Sequence, residues 1–169
     1  MRFIKLVILS FIILFLIVTI FSLFIPSTIR ISKATNIEAD NKFFDHYISR
    51  LPDWKRWHPA LKEIPGNELV VLADTNSLRV RGTTLAVKER KPGEIVTEMI
   101  TDKGRPVVSG LKLMDHPQAD SSTLQWYMDF KLRWYPWEKF RSLFYENIYG
   151  VQMEQGLNNL KELSTAARQ

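Results

Sequence analysis

Residues 6–25 read LVILSFIILFLIVTIFSLFI, with no charge and only Ser10, Thr19 and Ser22 as polar interruptions. About 20 apolar residues, at ~1.5 Å of rise each, cross the ~30 Å hydrocarbon core of a bilayer. A surface helix of a soluble protein would carry a polar face, which this stretch lacks. A cleaved leader has a shorter apolar run, of about 7–15 residues, followed by a small-x-small site. Here Phe24-Ile25-Pro26-Ser27-Thr28 follows and offers no such site. The chain is therefore expected to divide into an N-terminal transmembrane anchor, 1–26, and one domain, 27–169. Arg2 and Lys5 lie before the span and Arg30 and Lys33 after it, so charge biases the orientation weakly. The short N-terminal tail is expected inside, with the domain on the exported, periplasmic side of the cytoplasmic membrane.

Several function classes drop out early. There is no cysteine, which removes disulfides, thiolate nucleophiles and Cys-ligated zinc. His46, His58 and His116 stand far apart, with no H-x-x-x-H or H-E-x-x-H spacing. No Gly-rich dinucleotide loop, P-loop or G-x-S-x-G motif occurs. The net charge of +5 is dispersed rather than clustered, so no nucleic-acid interface is expected. No cofactor or metal is implied, and no protein partner is specified.

Proline at 26 ends the anchor helix. Ile29, Ile31 and Ile37 then fall in a first strand over 28–37. Asp40 or Asn41 is placed to cap a helix whose apolar face is Phe43, Phe44, Tyr47, Ile48 and Leu51, with Pro52 as its stop. Asp53-Trp54-Lys55-Arg56-Trp57-His58-Pro59 reads as a helical turn with both indoles on one side. Short strands follow around Leu78–Val80, Leu85–Val87 and 95–100, then 107–114. Turns are expected at Lys91-Pro92-Gly93-Glu94, at Asp102-Lys103-Gly104-Arg105 and over 116–120. The clearest strand is the last, where Leu124, Trp126, Met128, Phe130, Leu132 and Trp134 alternate with polar positions. Two helical pieces come next. The first presents Phe140, Leu143, Phe144 and Ile148. The second, after Gly150, presents Val151, Met153, Leu157, Leu160 and Leu163. Strands in one sheet with helices on one face make an α+β domain.

These pieces resemble the helix-grip fold of the START-like superfamily, the SRPBCC proteins that include the polyketide cyclase/dehydrase and lipid-transport group. Three stretches carry the resemblance. The D-W-K-R-W-H-P segment is similar to the family's W-x-x-W-x-P. Thr123-Leu124-Gln125-Trp126 matches in the last strand. Trp134-Tyr135-Pro136 leads to Gly150 and then Gly156-Leu157-Asn158-Asn159-Leu160-Lys161, which is similar to the G-L-x-x-L-K of membrane-anchored bacterial members. The resemblance implies a curved antiparallel sheet around a long C-terminal helix, with an apolar pocket between them.

The expected lining is Trp57, Val80, Val87, Leu111, Leu113, Trp126, Met128, Phe130, Val151, Leu157 and Leu160, with Glu98 as a polar anchor. Trp54 and Trp57 read first as pins for a short helix, with a gate at the pocket mouth as the alternative. Gly110 and Gly156 read as places of close packing. The leading expectation is a membrane-anchored, non-enzymatic binder of a hydrophobic small molecule or lipid, because the inward positions are almost all apolar. One alternative is a cyclase- or dehydratase-like enzyme using His58 or Glu98 as acid/base, although His58 reads first as a surface or capping residue. The other is a closed structural or partner-binding module, its pocket filled by Trp126, Met128 and Phe130.

Overall fold

Pro26 and Ser27 separate two different pieces of backbone in the computed structural model, which describes residues 2–72, 76–102, 104–115 and 121–167. The expected turn over 116–120, with His116, lies outside the described residues, as does Lys103. The first piece is α1 (Arg2–Leu23), a single helix that buries only Ser22. Thr19 Oγ1 donates to the Phe15 carbonyl at 2.7 Å, and Ser22 Oγ donates to the Thr19 carbonyl at 2.8 Å. These two polar interruptions thus satisfy themselves on the helix's own backbone.

The second piece is built on seven strands: β1 (Thr28–Ile37), β2 (Leu69–Val71), β3 (Ser77–Val80), β4 (Thr83–Lys91), β5 (Glu94–Thr101), β6 (Val107–Asp115) and β7 (Ser122–Lys131). They form one antiparallel sheet in the order β1-β7-β6-β5-β4-β3-β2. Only β1 leaves the meander, pairing with β7 from Thr28↔Lys131 to Ile37↔Ser122. The β4–β5 turn places Gly93 at φ +69°, a conformation that costs a side chain dearly.

Alternation along β7 holds as expected from Leu124 to Phe130, all inward and buried. It does not reach Trp134, which is 62% exposed. The Leu132 amide still donates to the Ser27 carbonyl at 2.8 Å. Beyond it the chain prepares for Pro136, which starts a helix and keeps Tyr135 extended.

The helical elements cover one face of the sheet. They are α2 (Asn41–Tyr47), a 3-10 turn over Leu51–Arg56, α3 (Pro59–Lys62), α4 (Pro136–Ser142), a π-helical turn over Glu146–Gly150, and α5 (Val151–Ala166). Asp40 caps α2, accepting from the Phe43 amide at 2.8 Å. This helix ends earlier than the apolar pattern suggests. Trp54 Nε1 takes the Ile48 carbonyl at 2.7 Å and Trp57 Nε1 takes the Tyr47 carbonyl at 3.0 Å, so two indoles close its C-terminus. Pro52 lies in the first turn of the separate 3-10 segment.

Trp57 is fully buried and meets Trp126 edge-on at 5.5 Å. Trp126 Nε1 donates to Ser109 Oγ at 2.8 Å. Asn159 Nδ2 on α5 donates to the Trp57 carbonyl at 2.8 Å. Gly156 permits this packing: a Cβ there would stand 2.7 Å from Trp126 Cζ3 and 3.3 Å from Pro59 Cδ. At the N-terminal end of α5, Lys33 on β1 reaches Glu146 of the preceding turn at 2.6 Å and Glu154 at 2.8 Å.

Two expectations about the C-terminal helices need correction. Gly150 does not break the chain; it is helical (φ −60°, ψ −43°) and the π-helical turn runs straight into α5. A Cβ at Gly150 would stand 3.1 Å from Lys33 Cε and 3.2 Å from Glu146 Oε1, a close approach to two flexible side chains. The apolar face of the first piece points outward: Leu143, Phe144 and Ile148 are exposed, and Val151 is 62% exposed. The helix turns Lys139, Ser142, Tyr145 and Tyr149 inward instead.

The outer face of the sheet is polar. Arg30 on β1 grips both carboxylate oxygens of Asp129 at 2.7 Å and stands 4.5 Å over the Tyr127 ring. The phenol end of that ring lies against Gly110, where a Cβ would meet Tyr127 Cζ at 2.3 Å.

Candidate functional site

The space between α5 and the sheet is filled. Trp57, Leu111, Leu124 and Leu160 are completely buried, and Trp126 and Leu157 nearly so. Leu113, Met128 and Phe130 join the same core, and Val80 and Val87 pack against its edge. The structure therefore brings most of the expected lining together as one packed core. Two residues fall elsewhere. Val151 is on the outer side of α5. Glu98 points to the other face of the sheet, because its neighbour Thr97 is fully buried and successive strand residues face opposite ways. Glu98 pairs there with Lys88 at 3.5 Å.

Open space lies at the other end of the same sheet face, under the first half of the helical segment. A cavity of about 480 Å³, open on one side, is lined from the sheet by Met99, Thr101, Val107, Phe130 and Leu132. The helical wall supplies Trp137, Glu138, Arg141, Tyr145 and Tyr149. Phe130 is the expected lining residue that does reach it. Its ring sits 4.8 Å from Tyr145 and 4.7 Å from Tyr149, and the two tyrosines meet edge-on at 5.5 Å. These three rings form an aromatic floor. Burial, and next the neighbouring Tyr149, push the Tyr145 phenol above its ordinary range, so it stays a neutral donor.

The rim is cationic. Arg105, Lys131, Arg133 and Arg141 contribute to its edge, Lys131 from the strand position that turns to the outer face, with Glu138 as the single acid in the lining. Among the described residues, none of Arg105, Arg133 and Arg141 is ion-paired. Arg133 instead stands 5.8 Å over the Tyr135 ring. Unpaired guanidiniums at the edge of an aromatic floor suit a ligand with an apolar body and an anionic or strongly accepting head. The sequence signal for this site was Tyr145 and Tyr149, four apart and so on one helix face. The more strongly apolar Phe140, Phe144 and Ile148 obscured it.

His58 lies away from this cavity. It is the N-cap residue of α3, but its side chain makes no capping bond. The ring is enclosed by Trp54 (stacked, 5.9 Å), Trp57 (5.5 Å) and Trp126 (5.3 Å), and Nδ1 has no hydrogen-bond partner. Burial lowers its pKa to about 4, so it is neutral at pH 7. Asp53, its neighbour in sequence, is turned toward Arg50 at 3.6 Å and Arg56 at 3.8 Å. His58 is thus a half-buried residue set against three indoles, at the N-cap position expected of a capping residue but without the side-chain bond. Its position gives acid/base chemistry no opening into the cavity.

No protein-family model and no curated protein matches the sequence. The fold does have solved counterparts. A START superfamily protein from Mycobacterium smegmatis matches 82% of this chain and 98% of its own at 17% identity, with a TM-score of 0.59. CalU16 from Micromonospora echinospora matches 79% of this chain and 73% of its own at 12% identity (TM-score 0.54). The di-domain ARO/CYC StfQ of the steffimycin biosynthetic pathway matches 83% of this chain and 52% of its own at 7% identity (TM-score 0.60). At these identities the likeness is one of fold: this chain has the START-like helix-grip fold, preceded by one apolar helix.

Proposed function

We propose that this protein is a membrane-anchored binding domain that holds a hydrophobic small molecule or lipid in the cavity between the sheet and the α4/π-helical segment. The observation that carries the reading is the cavity itself. At about 480 Å³ it falls within the ~300–1,000 Å³ range of small-molecule sites, with an aromatic floor and a guanidinium rim. Supporting it is the kinship of fold with a START superfamily protein and with an ARO/CYC protein of a biosynthetic pathway. Helix α1 serves as a single-pass anchor in the cytoplasmic membrane, with the domain on the exported side. An anchor keeps an apolar-ligand site beside the phase in which such ligands dissolve.

Native mass spectrometry of the full chain, extracted in mild detergent, tests this. The expected result is an added mass that is lost on denaturation and depleted several-fold in Arg141→Glu, which reverses a rim charge. A bare mass with no uptake from a total lipid extract overturns the reading. Equal occupancy in Arg141→Glu moves the site away from this cavity. A second reading, a closed partner-binding module, draws on the indole packing that fills the space under α5; the bare-mass outcome favours it.

A further inference from the structure

The helical segment after β7 exposes apolar side chains where a water-facing helix would carry polar ones. Trp137, Phe140, Phe144, Ile148 and Val151 are all exposed, Phe144 at 61%. They are spaced by three or four residues and so run along one side of the segment. Contiguous exposed apolar surface of this kind marks a contact with something apolar.

Three observations identify what. First, the stripe starts beside the anchor: α4 packs against α1. The buried Lys139 Nζ donates to the Ile25 carbonyl and, at 3.0 Å, to Ser27 Oγ. This ties the start of the stripe to the end of α1. Second, the outward side changes character along the rod. Up to Val151 it is apolar; beyond it come Gln152, Gln155, Asn158 and Glu162, all exposed and polar. The apolar part of the outward side is thus confined to the anchor's end. A bilayer surface would meet only that end. Third, the residues nearest the anchor are those of a membrane interface. Trp134, Tyr135 and Trp137 form a ring cluster with centroids 5.0 and 4.9 Å apart, and exposed Arg133 and Arg141 flank it. Amphipathic aromatics and snorkelling cations are characteristic of the headgroup level.

We propose that the Trp137–Phe140–Phe144–Ile148–Val151 stripe lies in the headgroup region of the bilayer that α1 spans, docking the domain flat on that surface. The proposal rests on reading α1 as a membrane span. Because Trp137 and Arg141 also line the cavity, docking sets its mouth at headgroup depth, where an amphiphile can pass without crossing water.

The natural chain lacks cysteine, so single-cysteine variants report cleanly. Nitroxide labels are placed by Phe15→Cys in α1, Phe144→Cys in the stripe and Gln155→Cys on the outward side about three turns further on. The full chain is reconstituted in vesicles of phosphatidylcholine with phosphatidylglycerol. Collision with oxygen against a water-soluble nickel chelate then reads depth. The expected order is Phe15→Cys deep, Phe144→Cys shallow but shielded from nickel at least several-fold, and Gln155→Cys fully in water. If Phe144→Cys collides with nickel as freely as Gln155→Cys while Phe15→Cys stays deep, docking is overturned and the anchor stands. If Phe15→Cys is in water, the anchor reading itself fails. Shielding of Phe144→Cys from both probes, persisting in detergent, overturns lipid docking in favour of a protein contact.

Discussion

Replacing Gly156 by alanine adds one methyl group where α5 crosses the indole cluster. The new Cβ would stand 2.7 Å from Trp126 Cζ3, 3.3 Å from Pro59 Cδ and 3.5 Å from Trp57 Cζ3. Carbon atoms prefer about 3.5–4.0 Å, so the first contact overlaps by roughly 1 Å. Trp126 has little room to retreat, since its Nε1 is held by Ser109 Oγ at 2.8 Å and Trp57 blocks its edge. Overpacking of this kind costs about 1–3 kcal/mol, and the rigid neighbour argues for the upper half of that range. Alanine returns about 1 kcal/mol through helix propensity. The net expectation is a loss of about 1–2 kcal/mol, or a melting temperature lower by about 2–8 °C in a domain this size. Near-UV circular dichroism melts of the full chain in detergent measure it. The decisive measurement is the double-mutant cycle with Trp126→Phe, a smaller ring that frees space beside the new methyl. Gly156→Ala should become neutral or mildly stabilising in that background, giving a coupling of at least about 1 kcal/mol. Additivity within about 0.5 kcal/mol would refute the clash as the cause.

Gly110→Ala meets a softer neighbour. Tyr127 lies on the outer face and can swing aside, so the expected cost is about 1 kcal/mol, less than in α5, with loss of the Arg30–Tyr127 contact visible in the tyrosine ring chemical shifts. His58 holds a folded pKa of about 4 against an ordinary 6.5 because burial disfavours its charge. Its contribution is therefore complete above about pH 6.5 and is lost as pH falls toward 4. His58→Phe should flatten the acid limb of the stability curve by up to about 3 kcal/mol, and an unchanged limb would count against an enclosed ring. Lys33 is held above its ordinary 10.5 by hydrogen bonds to Glu146 and then Glu154. That stabilisation is complete below about pH 10.5 and disappears as pH climbs through the raised value. Lys33→Met should thus unfold no earlier at alkaline than at neutral pH, relative to a parent whose stability falls.

How much of this was legible in the sequence depends on period. β7 advertises itself because period-two alternation is unambiguous, and β1 and the Pro92-Gly93 turn follow from equally local chemistry. Asp40 as a cap is likewise a local matter. Facing is harder when both sides of an element are apolar. The segment over 136–151 carries aromatic or aliphatic residues all round. Its hydrophobic pattern marks Phe140, Phe144 and Ile148, while the interior takes Lys139, Tyr145 and Tyr149. A buried lysine whose partner is a carbonyl more than 100 residues earlier leaves no trace in composition. Glu98 shows the opposite failure: alternation was present in β5, but Thr97 and Glu98 are both polar, so nothing local says which turns inward. The expected pocket residues were read as lining because they face the helix. Whether such residues enclose space or fill it depends on the sizes of Trp57 and Trp126 meeting across Gly156, a three-body matter that pattern cannot resolve.

The junction at Pro26 has one more consequence, which concerns reach. The amides of Phe24 and Ile25 still bond back to Phe21 and Ser22, so only Pro26 and Ser27 stand between the helical turn and β1. Two extended residues span at most about 7 Å. With α1 in a bilayer, the domain has no leash: it cannot swing out to meet a distant soluble carrier, and its local concentration at the lipid surface is set by a stub rather than a flexible linker. For the proposed binder, exchange of a ligand then takes place at that surface, or with a partner that comes to it.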